Sequence, residues 1–200
     1  MINYITYVIL SFLILIFFSK ISYKLNLLDI PNKRKKHTAP TPFTGGLAVS
    51  FVYVTGILLF NFKSEELNLI LSISFLISIV GFIDDKYELN IGSKLSLQII
   101  PIIYLIIIKD LNLTQIGYYS NLYINLNSFS IPFTILSVTF LINSCNYFDG
   151  LDGTLSFASI SVLAILYFVI PDEDIKKFLI VILIPLLIFL CFNFSRLKLP

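Results

Sequence analysis

Residues 131–170 read IPFTILSVTFLINSCNYFDGLDGTLSFASISVLAILYFVI. Two long apolar runs, 131–142 and 155–170, enclose a polar island from Asn143 to Thr154. The island holds two amides, two carboxylates and two glycines within twelve residues. Charged groups next to a membrane helix are costly and are rarely without a function. The stretch therefore predicts two spanning helices joined by a functional polar segment at one membrane face.

The composition of the whole chain points to a membrane protein. Its 200 residues are 57% hydrophobic and 13% charged, and the mean hydropathy is +0.91. Soluble globular domains carry about 25% charged residues, so that class is excluded. The net charge of +2 gives no sign of nucleic-acid binding, and we expect no nucleic-acid partner. Cys145 and Cys191 show no partner spacing, so we expect free thiols rather than a disulfide or a zinc site.

Seven apolar runs qualify, or nearly qualify, as membrane spans, which need about 20 residues each. The first run lacks the basic flank and cleavage site of a signal peptide, so we expect it to remain as a helix. We predict an all-α integral membrane protein, with residues 1–200 forming one multi-span domain. Two β-prone runs around residues 119–121 add a predicted extracytoplasmic β-hairpin at 111–127. The predicted spans are 2–19, 45–62, 67–83, 91–108, 131–148, 154–170 and 177–194.

The basic residues are distributed unequally between the two sets of loops. Ten of the fourteen lysines and arginines lie in the loops on one side, and four lie on the other. The positive-inside rule places the richer side in the cytoplasm and the N-terminus outside. The predicted cytoplasmic loops are 20–45, 84–94, 147–154 and 195–200. All of the polar motifs fall on that side, which indicates a site at the cytoplasmic face.

The first cytoplasmic loop contains KRKKHTAPTPFTGG, from Lys33 to Gly46. Its basic run, 33–36, is explained by topology and by anionic headgroups, at about 1 kcal/mol per residue, and would equally suit an anionic ligand. His37, the only histidine, is either incidental or part of a site. Gly45 and Gly46 would let the backbone approach another group closely.

Two carboxylates, Asp84 and Asp85, directly follow the third predicted span. Adjacent carboxylates repel each other unless they share a cation, and such pairs are usual ligands for Mg²⁺, which completes its shell with water and phosphate oxygens. The alternative is a solvated helix end in which both carboxylates face water. Lys86 and Lys94 are either topology charges or groups that neutralise phosphate.

Within the island, Asn143, Asn146, Asp149 and Asp152 recur every three residues. On a helix this spacing keeps neighbours on one face, with a slow drift. The glycines between them would loosen or end the helix, which places the aspartates at a helix–loop junction. Capping of the next helix is the structural alternative for one aspartate. It explains neither the two asparagines nor the second aspartate.

Together the three motifs resemble those of the polyprenyl-phosphate N-acetylhexosamine-1-phosphate transferases of bacterial glycosyltransferase family 4. Residues 36–46 (KHTAPTPFTGG) resemble the family's HxxPTPxxGG, and residues 84–98 (DDKYELNIGSKLSLQ) resemble its aspartate pair with a downstream lysine. Residues 143–154 resemble its NxxNxxDGxDGL, with Thr154 where leucine is usual. The proline-rich first motif is closer to the branch that transfers a small N-acetylhexosamine phosphate than to the peptidoglycan branch.

The resemblance implies transfer of N-acetylhexosamine-1-phosphate from a UDP-sugar to polyprenyl (undecaprenyl) phosphate, with release of UMP, at the start of lipid-linked glycan synthesis. It implies Mg²⁺, with Mn²⁺ as the alternative ion, in a bacterial cytoplasmic membrane whose cytoplasmic face carries the site. The implied partners are UDP-N-acetylhexosamine, polyprenyl phosphate, membrane lipid and a second copy in a homodimer. The implied roles are catalysis for Asp84, Asp85, Asp149 and Asp152, metal binding for Asp84, Asp85 and Asp149, and substrate binding for Lys94, Asn146, His37 and Thr41.

Other functions stay open at this point. An intramembrane Mg²⁺-dependent prenyltransferase also uses aspartate-rich loops, but usually with carboxylates three or four residues apart, which Asp84 and Asp85 do not match. A transporter would carry charges or helix breaks near the middle of its spans, and the predicted spans have no such charges. A non-catalytic, truncated membrane protein that binds a partner transferase is the third alternative, because the family's later Gly-Asp metal ligand and histidine-rich motif would lie beyond Pro200.

We expect the 200-residue chain alone to show little or no transferase activity, because it lacks the later motifs that the resemblance calls for. The measurement is release of UMP from UDP-GlcNAc in the presence of polyprenyl phosphate and Mg²⁺. Clear turnover by the purified 200-residue chain would contradict this expectation.

Overall fold

A computed structural model describes residues 2–29, 40–119, 122–148 and 153–193. Five of its helices are long and apolar enough to cross a membrane, while α2 and α6 are apolar but shorter, with 16 residues each. The predicted all-α membrane class is confirmed, and seven is an approximate count of the spans. The helices are α1 (Ile2–Lys24), α2 (Gly45–Phe60), α3 (Glu65–Tyr87), α4 (Ile91–Lys109), α5 (Ser130–Phe148), α6 (Thr154–Val169) and α7 (Glu173–Asn193).

One end of the bundle carries those residues of the sequence motifs that the structure describes, and we call it the motif end. There the C-terminus of α1 meets the start of α2 through a buried hydrogen bond between the hydroxyls of Ser22 and Thr44. Beside it, the two-residue strands β1 (Leu28–Asp29) and β2 (Thr41–Pro42) pair antiparallel. This pairing was not predicted, and it closes the base of the first loop.

The opposite end of the bundle is held by different contacts. Asn3 of α1 donates through Nδ2 to the carbonyl of Leu59 in α2 at 3.1 Å, and Lys109 of α4 forms an ion pair with Glu65 of α3. Because consecutive helices meet alternately at the two ends, the chain runs up and down across the bundle. The polar groups at both ends flank a predominantly apolar middle.

The predicted β-hairpin is confirmed at the opposite end, between α4 and α5. Strands β3 (Gln115–Tyr119) and β4 (Leu122–Asn125) pair antiparallel, with a register shift between Gln115 and Gly117. Tyr119 belongs to the first strand rather than to the turn. A short 3₁₀ helix, Asn127–Phe129, then leads into α5.

The main core lies where α1, α2 and α7 meet around Tyr7. Its side chain is fully buried, and its hydroxyl donates to the carbonyl of Val181 at 2.9 Å and lies 3.3 Å from the carbonyl of Val52. A buried hydroxyl needs such a partner because neither lipid tails nor aliphatic side chains can accept a hydrogen bond from it. The Tyr7 hydrogen bond therefore ties the first helix to the last.

Close helix contacts explain two of the glycines. A Cβ on Gly45 would lie 2.6 Å from Cε2 of Phe189, so α2 and α7 touch there, as the sequence predicted for a glycine. Gly46 has no such contact within 4 Å among the described residues. A Cβ on Gly56 would lie 2.5 Å from Cγ1 of Val181. Gly56 is thus the second glycine that lets α2 approach α7.

We expect Gly56→Ala to destabilise the fold by roughly 1–3 kcal/mol, the usual range for overpacking a core. The added methyl would meet the fully buried, β-branched Val181, which has little rotameric freedom. Gly81→Ala is the control, since no described atom outside the backbone of its own helix lies within 4 Å of its Cβ position and alanine favours a helix by about 0.5–1 kcal/mol. The midpoints of thermal unfolding of the two variants are compared in detergent. Equal midpoints would contradict the close contact between Gly56 and Val181.

Candidate functional site

The aspartate pair occupies the last turn of α3. The helix continues through Asp84 and Asp85 into the predicted loop 84–94 and ends where Glu88 takes a left-handed φ of 49°. The N–H of Glu88 donates to the carbonyl of Asp84 at 2.8 Å. Asn90 then caps α4 by accepting from the N–H of Ser93 at 2.8 Å. The connection is a tight turn, so the start of α4 lies beside the end of α3.

This turn brings Lys94 back against Asp84. The Nζ of Lys94 lies 2.7 Å from Oδ2 of Asp84, and the two side chains are only 21% and 19% exposed. Partial burial reduces screening by solvent and salt, which strengthens the attraction compared with a fully exposed pair. Asp84 therefore does not simply face water, whereas Asp85 beside it is exposed. The two adjacent carboxylates have different surroundings.

The asparagines of the polar island lie on α5, which ends at Phe148. Asn143 is partly buried and Asn146 is exposed, which is the expected order for a helix that leaves the apolar layer. The Nδ2 of Asn143 donates to Oε1 of Gln98 in α4 at 2.9 Å and to the carbonyl of Thr139 at 2.8 Å. The C-terminal part of α5 is thereby joined to the first half of α4.

Gln98 is the site residue that the sequence reasoning missed. Its side chain is 2% exposed, and it sits four residues after Lys94 inside an apolar helix. The available signal was its chemistry, since an uncompensated amide is costly inside a membrane and needs a partner. Asn143 was recognised in the three-residue repeat of the polar island, but it was not included among the predicted site residues.

The other predicted site residues divide into two groups. Thr41 is exposed in β2, where it pairs with Asp29 of β1 at the motif end. His37, Asp149 and Asp152 lie outside the described residues. The structure thus brings Asp84 and Lys94 into contact and places Thr41 and Asn146 at the same end of the bundle.

The carboxylates of Asp84 and Asp85 are oxygen ligands of the kind that hard cations such as Mg²⁺ prefer. Asp84 and Asp85 are adjacent, and Mg²⁺ is typically bound through one or two carboxylates, with waters and phosphate oxygens completing its shell. In the described part of the chain, no group of three or more histidine, cysteine, aspartate or glutamate side chains forms a complete metal site. The described residues alone supply two candidate ligands.

Comparison with known proteins places this arrangement in a family. The family model described as Glycosyl transferase family 4 matches residues 67–199. The chain is 28% identical over 160 residues to the undecaprenyl-phosphate alpha-N-acetylglucosaminyl 1-phosphate transferase of Escherichia coli (strain K12), a match that covers 76% of this chain and 43% of the relative. It is 27% identical over 184 residues to the probable undecaprenyl-phosphate N-acetylglucosaminyl 1-phosphate transferase of Bacillus subtilis (strain 168). This match covers 90% of this chain and 51% of the relative.

The chain spans about half the length of the curated relatives it matches. The matched region runs from the first turn of α3 to beyond α7. It includes both the Asp84–Lys94 ion pair and the Gln98–Asn143 hydrogen bond. On this match, which covers most of the sequence, the chain belongs to glycosyl transferase family 4.

Proposed function

We propose that this chain contributes to a membrane transferase that moves N-acetylhexosamine-1-phosphate from a UDP-sugar to polyprenyl phosphate and releases UMP. The observation that carries the proposal is the ion pair of Asp84 and Lys94, 2.7 Å apart at one end of the bundle. Family membership and the names of the relatives favour this function over the prenyltransferase alternative. A lipid-linked phosphate would be presented at the level of such helix ends.

Lys94 would bind the acceptor phosphate. Its ammonium lies beside the carboxylate of Asp84. When the substrate binds, a phosphate oxygen would replace that carboxylate as the partner of Lys94. The ammonium would therefore remain paired with an anion throughout. An oxygen of the polyprenyl phosphate attacks the β-phosphorus of the UDP-sugar, and the bond from that phosphorus to the bridging oxygen of UMP breaks. Catalysis of phosphoryl transfer depends mainly on positioning and charge neutralisation.

The end of α5 would supply the nucleotide side of the site. Asn146 is exposed there, and its amide can both donate to phosphate oxygens and accept from sugar hydroxyls. Asp149 and Asp152 follow at the same three-residue spacing. His37 and Thr41 would border the site from the first loop. We propose these roles from the family motif and from the position of the motif end.

Asp84, Asp85 and Asp149 would hold Mg²⁺, or alternatively Mn²⁺. When bound, the ion would neutralise the diphosphate oxygens of the UDP-sugar. Two of its proposed ligands, Asp84 and Asp85, come from one helical turn, and the third comes from the segment after α5.

The helices and the bacterial relatives indicate a bacterial multi-pass membrane protein. We further propose the cytoplasmic membrane, a cytoplasmic motif end, an N-terminus outside and a homodimer. The orientation is supported by the ten lysines and arginines on the motif side, against four on the other.

In the full-length protein, Asp149→Asn is expected to abolish Mg²⁺-dependent binding of UDP-GlcNAc, because it replaces an anionic ligand by a neutral amide. Equilibrium binding in detergent, with and without Mg²⁺, provides the measurement. Asp172→Asn is the matched control, since Asp172 caps α7 at the opposite end and asparagine can keep that cap. Unchanged binding and turnover in Asp149→Asn would show that the site assignment is wrong.

Lys94→Gln is expected to lower kcat by roughly 100–1,000-fold, the usual effect of removing one electrostatic contact to the transition state. Lys86→Gln is the control for a cation at the same end, because Lys86 is exposed and contacts only the ring of Tyr87 among the interactions described here, at 5.0 Å.

The double variant Asp84→Asn, Lys94→Gln separates stability from catalysis. It removes the partly buried carboxylate that Lys94→Gln leaves without its cation, so its thermal midpoint should return toward that of the wild type. Turnover should stay low. Recovery of turnover together with the midpoint would contradict a phosphate-binding role for Lys94.

A further inference from the structure

A second polar contact lies one helical turn deeper than the Asp84–Lys94 pair. Gln98, which is almost completely buried, accepts a hydrogen bond at Oε1 from Nδ2 of Asn143, 2.9 Å away on the neighbouring helix α5. A hydrogen bond of this kind has a preferred direction, and inside a membrane its partners cannot exchange it for water. It therefore constrains the rotation of α5 relative to α4.

The spacing along both helices connects this contact to the proposed site. Lys94 precedes Gln98 by four residues, and Asn146 follows Asn143 by three. Residues at these separations lie on the same helix face. The bonded inner pair, Gln98 and Asn143, thus determines where the outer pair, Lys94 and Asn146, points at the motif end.

The apolar part of the same interface leaves the rotation of α5 less constrained. A cavity of about 350 Å³ lies between α3, α4 and α5, with Ile102 and Ile106 on one side and Val138 and Ile142 on the other. Aliphatic side chains around an open space give no directional contact. At the opposite end, the N–H of Leu113 donates to the hydroxyl of Thr134 on α5 at 2.8 Å. Among the described residues, the Gln98–Asn143 bond is the hydrogen bond from α5 to another helix that lies nearest the motif end.

We propose that Gln98 and Asn143 are a positioning pair for the transfer reaction, a role that rests on the proposed function. By setting the rotation of α5, the pair fixes the position of Asn146 at the end of α5 relative to Lys94 on α4. Neither amide needs to touch a substrate for this purpose. Through its bond to Asn143, Gln98 keeps the nucleotide side of the site, at Asn146, at a fixed position relative to the acceptor side, at Lys94.

The test compares Gln98→Leu with Gln98→Glu in the full-length protein in membranes. Leucine removes the acceptor, whereas a buried, neutral glutamate side chain keeps a carbonyl oxygen that can accept from Asn143. We expect Gln98→Leu to lower kcat by about 100-fold, as for a small misplacement of reacting groups, with little change in KM for polyprenyl phosphate. Gln98→Glu should retain most of the turnover. A Gln98→Leu enzyme with wild-type kcat would overturn the proposal.

The control and the second variant use the same two helices. Ser96→Ala removes an exposed hydroxyl of α4 that bonds to its own helix, and it should leave kcat unchanged. Asn143→Leu approaches the contact from α5 and serves if Gln98→Leu does not fold. The double variant Gln98→Leu, Asn143→Leu should lose no more activity than either single variant, since both changes break one interaction. Additive losses would count against a shared role.

A readout that does not depend on activity uses Cys145, which lies on α5 between the two asparagines and is partly exposed. In a Cys191→Ser background, the rate of Cys145 alkylation by N-ethylmaleimide, measured by mass spectrometry on the peptide that contains Cys145, reports the rotation of α5. The rate should change several-fold in Gln98→Leu and stay constant in Gln98→Glu and Ser96→Ala. If the rate shifts but the wild type transfers no sugar phosphate, the proposed function fails, and with it the role in transfer, while the control of the rotation of α5 by Gln98 and Asn143 stands. Equal rates in all variants would overturn the pair.

Discussion

Hydrocarbon cannot hydrogen-bond to a polar group, and this constraint arranges the whole chain. Inside the helices, buried polar side chains bond across to neighbouring helices, as Tyr7 does to Val181 and Gln98 does to Asn143. Ion pairs lie at helix ends instead. Some buried hydroxyls bond to their own helix, as Ser11 does to the carbonyl of Tyr7, but a hydrogen bond that crosses between helices is a specific link between the two. The bundle is therefore held by apolar packing and oriented by a small number of polar contacts.

Helix α4 has a central place in this arrangement because one of its faces serves two neighbours. Lys94 meets the last turn of α3, and Gln98, one turn deeper, meets α5. The two motif-bearing helix ends do not need to contact each other directly to be held in register. The ion pair also compensates the charges of both side chains, because the ammonium of Lys94 lies beside the carboxylate of Asp84. In the proposed reaction, a phosphate would replace that carboxylate as the partner of the cation, which would stay paired.

Much of the fold and part of the site were predictable from local sequence. Apolar runs of helical length identified the seven helices, and alternating β-prone residues identified the hairpin. The motif residues were recognisable because charge and amides are rare in such a chain. The tight turn after Asp84 was harder to predict, because hydropathy falls at the first charged residue while the helix continues for another turn. The β1–β2 pairing was missed since two residues per strand give no periodic signal.

The sequence by itself determined which segments enter the membrane and which residues have the chemistry of a phosphate site, since length, hydropathy and side-chain type are local properties. Only the tertiary structure decided that Lys94 contacts Asp84, that Gln98 bonds to Asn143, and that Gly45 but not Gly46 meets α7. These helices are apolar on all sides, so no stripe in the sequence tells which face meets a neighbour. The rotation of each helix follows from packing between residues far apart in the chain, and that rotation selects the contacts that form the site.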